Sequence, residues 1–240
     1  MQIIKGKFGE CRLCDNMDEK AGMPSLEAGS WDLCLTDYPY NVKFTGKAFG
    51  GTEYSDTKTA AEYQAFCQRS FIELTRITKG QIIFCGNMNL NMWIKSIAEP
   101  LDVAFHYAPN KQSRGKGYMC PKHEVILLYN EIQLGKSVYK FNTEFQLIKN
   151  HPCPNNPKLY RALIQDSGYH SVLDPFLGSG TTAQVCEELG IPWLGYELNV
   201  GADGNPAGYD LAIKQRIANG IAKHRTNGHQ MTLFPISEKV

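Results

Sequence analysis

Residues 171–190 read SVLDPFLGSGTTAQVCEELG, and the fold is decided by how this stretch is read. A short apolar strand ends at Asp174, the chain turns through Gly178 and Gly180, and a helix runs from Thr181 to Leu189 until Gly190 and Pro192 stop it. Glycines at such a turn let the backbone come close to a ligand, while free amides at the helix start favour a carboxylate or phosphate. Seventeen residues past Gly180, Glu197 closes the next apolar run. A carboxylate there can accept hydrogen bonds from two ribose hydroxyls, which predicts an adenosine-containing cofactor. The spelling Gly178-Ser-Gly180-Thr-Thr-Ala183 also satisfies G-x-G-x-x-A. This motif alone leaves NAD and S-adenosylmethionine undecided.

Outward from this motif, strands alternate with helices. Short, nearly continuous apolar runs at Ile3 to Phe8, Trp31 to Thr36, Gln81 to Cys85, Val103 to Tyr107, Glu124 to Tyr129, Ser171 to Leu173 and Ile191 to Leu198 predict seven strands covered on both faces. Thr59 with Glu62 forms a capping box ahead of a helix that Gly80 should end. Further helices are expected from Asn87 to Pro100, from Asn156 to Gly168, over Thr181 to Leu189 and over Tyr209 to Lys223. The fold class is α/β: a Rossmann-like, doubly wound, mostly parallel seven-stranded sheet. Residues 1–225 form one domain, with insertions near 42–56, 110–122 and 130–150, and 226–240 read as a tail.

Composition narrows the class without naming a chemistry. The 240 residues are 42% hydrophobic and 20% charged, which excludes coiled coil, collagen and wholesale disorder. A net charge of +1 means that any hold on nucleic acid must come from local basic clusters. No apolar run reaches the length of a membrane span, and MQIIKGKFGE lacks the apolar core of a secretory signal, so a cytoplasmic protein is expected. Cys11 and Cys14 with Cys120 and His123 are four zinc-ligand types, but no spacing rule joins the two pairs, and no metal is expected.

A second motif, residues 31–41, reads WDLCLTDYPYN. A buried strand delivers Asp37, Tyr38, Pro39, Tyr40 and Asn41 to its C-terminal edge, where ligands bind on such sheets. The exocyclic amine of a nucleobase is a poor nucleophile because its lone pair is delocalised into the ring. A carboxylate and a main-chain carbonyl, each accepting one N–H, would favour a pyramidal nitrogen and stabilise charge developing during attack. Asp37 and the carbonyl of Tyr38 suit that task, Pro39 stiffens the turn, and the ring of Tyr40 can stack on an extruded base.

The two motifs together resemble those of the DNA amino-methyltransferases, which carry D/N/S-P-P-Y and F-x-G-x-G. With the catalytic motif first and the glycine motif last, the chain is similar to the circularly permuted β group of that family. The resemblance extends to Gly9-Glu10-Cys11, to the strand at His123-Glu124, and to the segment from His151-Pro152 through Ile164. It implies transfer of a methyl group from S-adenosyl-L-methionine to adenine N6, as in a restriction-modification enzyme, with Asp rather than Ser at position 37 favouring adenine. Cytosine N4 is the alternative substrate, and a catalytically degenerate DNA- or nucleotide-binding regulator is the alternative class. It makes Asp37, Tyr38, Pro39 and Tyr40 catalytic. Glu10, Thr36, Asp37, Asp174, Phe176, Gly178, Gly180, Thr181, Glu197 and Asn199 would surround the cofactor, and the segment His151 to Lys158 would border its methionine end.

Two departures from the family pattern stand out. Tyr38 replaces the first proline, keeping the carbonyl but placing a second aromatic ring at the site. His151-Pro-Cys-Pro-Asn-Asn-Pro157 is longer than the family's H-P-T-Q-K-P and lacks its Gln-Lys pair.

DNA contact is expected from Lys43, Lys47, Lys111, Arg114, Lys116, Lys136 and Lys140, which lie in the three insertions. These insertions are short for a recognition unit, which suggests a small target site or help from a second copy of the chain. Gln230, Met231, Leu233 and Phe234 in the tail resemble the peptide by which bacterial replication proteins dock on the sliding clamp.

Overall fold

Trp31–Asp37 sits near the middle of the sheet with a parallel partner on each side, and the site is defined by where its two neighbours lead. The computed structural model describes residues 1–41, 58–111, 122–142, 155–200 and 206–227, and the backbone alone of 45–47 and 53–55. In chain order the elements are β1 (Gln2–Lys5), β2 (Gly9–Leu13), β3 (Trp31–Asp37), β4 (Thr45–Lys47), β5 (Glu53–Ser55), α1 (Ala60–Ile77), β6 (Thr78–Phe84), α2 (Leu90–Met92), β7 (Asp102–Tyr107) and β8 (His123–Asn130). They continue as β9 (Val138–Lys140), α3 (Pro157–Ser167), β10 (Val172–Asp174), α4 (Thr181–Leu189), β11 (Trp193–Glu197) and α5 (Tyr209–Asn227).

Among the described residues the main sheet has nine strands, in the order β1-β2-β11-β10-β3-β6-β8-β7-β9. Five consecutive strands, from β2 to β6, are mutually parallel, and β8 runs against both its neighbours. The Rossmann-like doubly wound class is therefore as expected, and the strand count is corrected from seven to nine. Two local causes account for the difference. The run Ile3 to Phe8 does not form one strand, because the Gly6 amide bonds the Gly9 carbonyl at 2.8 Å and folds the chain into the β1–β2 hairpin. Part of the 130–150 insertion is β9, with Tyr139 buried in the core and its hydroxyl donating to Asp166 at 2.7 Å. Within the 42–56 insertion, β4 and β5 pair as a small antiparallel hairpin.

From β3 the chain crosses through α1 to β6 on one side; from β10 it crosses through α4 to β11 on the other. The two helices cover opposite faces. Tyr63, Cys67 and Leu74 of α1 join one apolar cluster with Tyr38 and Trp93, and Ala183, Val185 and Cys186 of α4 join the other with Leu163 and Ile213. Connections that part in opposite directions leave a crevice between the C-terminal ends of β3 and β10, the switch point at which such sheets bind ligands.

Local chemistry sets the element ends. The Thr59 and Glu62 side chains cap α1 reciprocally, a device worth about 1 kcal/mol. The helix ends at Ile77 and the chain enters β6 at once, so Gly80 lies within the strand and is not a helix stop. Asn87 does not cap a regular helix. Its side chain bonds the His123 carbonyl at 3.0 Å and the Val125 amide at 3.1 Å, and 87–97 winds as a 3-10 turn, the single turn α2 and a π turn. The helical layer is joined by buried Glu188, which pairs with Arg161 of α3 and, at 2.8 Å, with Lys223 of α5. No helix among the described residues is long and apolar enough to cross a membrane.

Candidate active site

The last rung of β3 on β6 is Asp37 opposite Phe84. The Tyr38 amide still donates to the Phe84 carbonyl at 3.0 Å, and the Tyr38 carbonyl lies past the end of the ladder. Asp37 Oδ2 accepts from Asn155 Nδ2 at 3.0 Å, whereas Oδ1 is buried without a partner among the described residues. Burial pushes the Asp37 carboxyl up to about 7; the Tyr40 hydroxyl and Asn155 pull it down, and Glu124 and Asp174 push it further up. A buried carboxylate oxygen with nothing to accept from is costly unless a ligand supplies the donor.

The turn that follows is latched by a residue with no signal in the sequence. Asn89 Nδ2 donates to the Tyr40 carbonyl at 2.7 Å and the Cys85 carbonyl at 3.0 Å, fixing this turn to the end of β6. Gly86 adopts φ +69°, and a Cβ there would stand 2.9 Å from the Tyr40 ring. Only glycine lets that ring lie across the turn. The Tyr38 side chain corrects the expectation of a second aromatic ring in the site. It is 1% exposed, packs at 4.7 Å from Trp93 and 4.6 Å from Phe176, and its hydroxyl meets Ser70 Oγ at 3.0 Å. Phe176 is partly buried against Tyr38 and Phe66, between that core and the crevice.

Across the crevice, β10 delivers Asp174, but its carboxylate faces inward. It accepts from Thr36 Oγ1 at 2.7 Å, Phe176 N at 3.1 Å and Thr182 Oγ1 at 2.5 Å. Thr36 and Asp174 thus brace β3, β10 and α4 together and shape the turn. Burial pushes the Asp174 carboxyl up to about 6 even with those three donors. Gly180 at φ +86° carries the chain into α4, and a Cβ there would come within 3.2 Å of the Ile213 backbone. The first-turn amides of α4 face the edge that Asp37 occupies.

Glu197 ends β11 as expected. Oε2 accepts from the Gly178 amide at 2.8 Å and Oε1 from Asn199 N at 3.0 Å, so the carboxylate holds the glycine turn in place. Burial pushes it up to about 7. Asn199 spends its side chain on the start of α5, accepting from Tyr209 N at 2.8 Å. Glu10 is not at this edge. It lies opposite Leu194 in mid-strand and pairs with Arg12 at 3.0 Å, whereas the rung opposite Glu197 is Leu13. The acidic residue that the register does carry to the edge is exposed Asp15, two positions beyond Leu13. Thr181 is buried, and its hydroxyl donates to the Asn155 carbonyl at 3.3 Å.

The basic residues separate by edge. Lys111 and Lys140 lie at the C-terminal edge, Lys140 exposed opposite Tyr107 and Lys111 paired with Glu124 at 2.8 Å. Glu124 also meets His106 Nδ1 at 2.9 Å; despite burial, these two partners hold its carboxyl down at about 2. Lys136 precedes β9 at the opposite edge, 3.4 Å from Asp166. The parallel register of β9 on β7 puts it at the edge away from Asp37. Lys43, Arg114, Lys116, His151 and the peptide Gln230, Met231, Leu233 and Phe234 lie outside the described residues, as does the side chain of Lys47. Cys11 on β2 and His123 on β8 stand five strands apart, roughly 24 Å, too far to share a metal.

A family model described as DNA methylase matches residues 130–202. The chain is 27% identical over 226 residues to the type II methyltransferase M.HpaI of Haemophilus parainfluenzae, covering 78% of this chain and 69% of that one. It is 25% identical to the type II methyltransferase M.HinfI of Haemophilus influenzae, covering 70% of this chain and 59% of that one. Among solved structures, the PvuII DNA methyltransferase (cytosine-N4-specific) superposes with a TM-score of 0.60 at 12% identity over 92% of this chain and 94% of that one. The M1.HpyAVI–SAM complex does so with a TM-score of 0.55 at 18% identity, over 87% and 99%.

Proposed function

We propose that the chain is a DNA methylase of the N6/N4 kind and that it methylates the N6 amino group of adenine in DNA, with S-adenosyl-L-methionine as donor. The observation that carries this reading is the buried Oδ1 of Asp37, without a partner among the described residues, at the C-terminal edge of β3 beside the Tyr38 carbonyl. Two acceptors on one turn match the two N–H groups of an exocyclic amine.

The residues present fit the donor. Glu197 ends β11 where ribose hydroxyls can use its remaining lone pairs, the turn from Gly178 to Gly180 admits close approach, and Asp15 borders the same edge. When bound, S-adenosyl-L-methionine supplies an electrophilic methyl on a sulfonium. Asp37 and the Tyr38 carbonyl hold the amino protons and so direct the nitrogen lone pair toward the crevice. As nitrogen took up the methyl, the donor's S–C bond would break and leave an uncharged thioether, and Asp37, poised near neutrality, would accept the proton that the nitrogen then loses. Tyr40, held over Gly86, offers a stacking face for the extruded base.

An aspartate at position 37 supports adenine, although the PvuII neighbour acts on cytosine N4; at 12% identity that likeness reaches the fold and not the base. Incubation with duplex DNA and methyl-labelled donor, followed by digestion to nucleosides, tests the reading. N6-methyladenine is expected; N4-methylcytosine would transfer the same mechanism to the other base, and no labelled nucleoside would refute it. The tail peptide is proposed as a clamp-docking segment, for which deletion of 230–234 should abolish clamp pull-down.

A further inference from the structure

We propose that Asn155 is a positioning residue for this reaction, setting the Asp37 carboxylate so that one oxygen is held and the other is presented to the incoming amine. The proposal rests on the reading of Asp37 as acceptor. Asn155 Nδ2 carries two protons, and both are spent: one on Asp37 Oδ2 at 3.0 Å, the other on the Tyr160 hydroxyl at 2.9 Å. Tyr160 is a rigid post. It is buried in α3 and its ring stacks on Phe84, the last residue of β6, with centroids 5.9 Å apart and planes within 6°. The Asn155 carbonyl meanwhile accepts from Thr181 at the head of α4 at 3.3 Å. One residue therefore joins the amine-binding turn of β3 to the helix start of the cofactor crevice.

An amide suits this position for a physical reason. A lysine or arginine would hold Asp37 more tightly, but would neutralise it and compete for the lone pairs that the substrate amine needs. A hydrogen-bond donor without charge keeps the carboxylate basic, and it cannot titrate. The other groups facing Asp37 are Tyr40 on its own turn, Cys85 after β6, Glu124 on β8, Asp174 on β10 and Tyr160 on α3. Of these, Glu124 and Asp174 disfavour the anion, so Asn155 and Tyr40 are the groups that sustain it.

The test compares Asn155→Ala and Asn155→Asp with the unaltered chain. The titration of Asp37 is followed by NMR of protein carrying carbon-13-labelled aspartate, with the signal assigned through Asp37→Asn. Losing the donor should raise the Asp37 midpoint by about one pH unit in N155A, since a hydrogen bond to a charged group is worth about that much. In N155D a second carboxyl faces the first, and the rise should be larger. The acid limb of the kcat profile should move upward by the same amounts, and kcat should fall about 10- to 100-fold with the dissociation constant for S-adenosyl-L-methionine within a few-fold. An Asp37 midpoint unchanged in either folded variant overturns the proposal. Because the midpoint is read without turnover, absence of methylated nucleosides in the unaltered protein would sink the proposed function separately.

Discussion

Replacing Asp37 by Asn should stabilise the folded chain at neutral pH while nearly abolishing methyl transfer, because the same burial that tunes the carboxyl also strains the fold. Burial moves this group from 3.8 up to about 7, whereas in the unfolded chain it titrates near its ordinary value. Between those two values the folded chain binds a proton that the unfolded chain has released, so stability falls as pH rises through the window. Below about 4 the cost is absent, and above about 7 it is complete. At 1.36 kcal/mol per pH unit the whole shift would amount to about 4 kcal/mol. Water at the crevice mouth screens a partly exposed side chain, so about 1–2 kcal/mol is the expected size. Asparagine has the same shape, can still accept from Asn155 and carries no charge. Urea unfolding at pH 4, 6 and 8 should show the two proteins alike at the lowest pH and Asp37→Asn ahead at the highest, with equal m-values. Asp174 and Glu197, raised to about 6 and about 7, are common to both proteins and cancel in the difference. The transfer rate should drop about 10²- to 10³-fold, the usual loss for one preorganised transition-state partner. A stability difference that is flat with pH, or a variant less stable than the parent at pH 8, would refute the reasoning, since either would mean that the carboxylate is satisfied in the fold.

Gly86→Ala places a Cβ 2.9 Å from the Tyr40 ring at φ +69°, so the ring must shift. KM for DNA should rise several-fold with cofactor affinity unchanged, measured by steady-state kinetics beside calorimetric titration. Tyr38→Phe removes only the buried contact with Ser70, and should lower urea stability by about 1 kcal/mol with transfer within twofold. A large loss of rate there would place the Tyr38 side chain in the reaction after all. Glu197→Gln leaves one of the amides of Gly178 and Asn199 without its acceptor, and calorimetry should show cofactor binding weakened about tenfold, or 1.4 kcal/mol.

Features that depend on a few neighbouring residues were legible in the one-dimensional order. The Thr59–Glu62 box and the Asn156–Pro157 start of α3 are satisfied by contacts within a few positions, and each formed as its spelling implies. The same holds for Asp37 and Glu197 at strand ends, because a strand's exit is marked by where its apolar run stops. Side-chain partners were not legible in this way. The hydroxyls that Asp174 accepts from arrive from two other elements, with Thr36 and Thr182, and the Tyr38 ring is enclosed by Trp93 and Ser70 from distant stretches of chain.

The amino-acid order by itself therefore determined the class of sheet and the positions of the two turns on which the proposed chemistry rests. Tertiary structure alone decided which edge each lysine occupies, which carboxylates face inward, and that Asn155 bridges Asp37, 118 residues away, and Thr181, 26 residues away. The reason is range: backbone propensities and caps act over one turn, whereas hydrogen-bond partners and burial depend on register and packing between strands that chain distance does not encode.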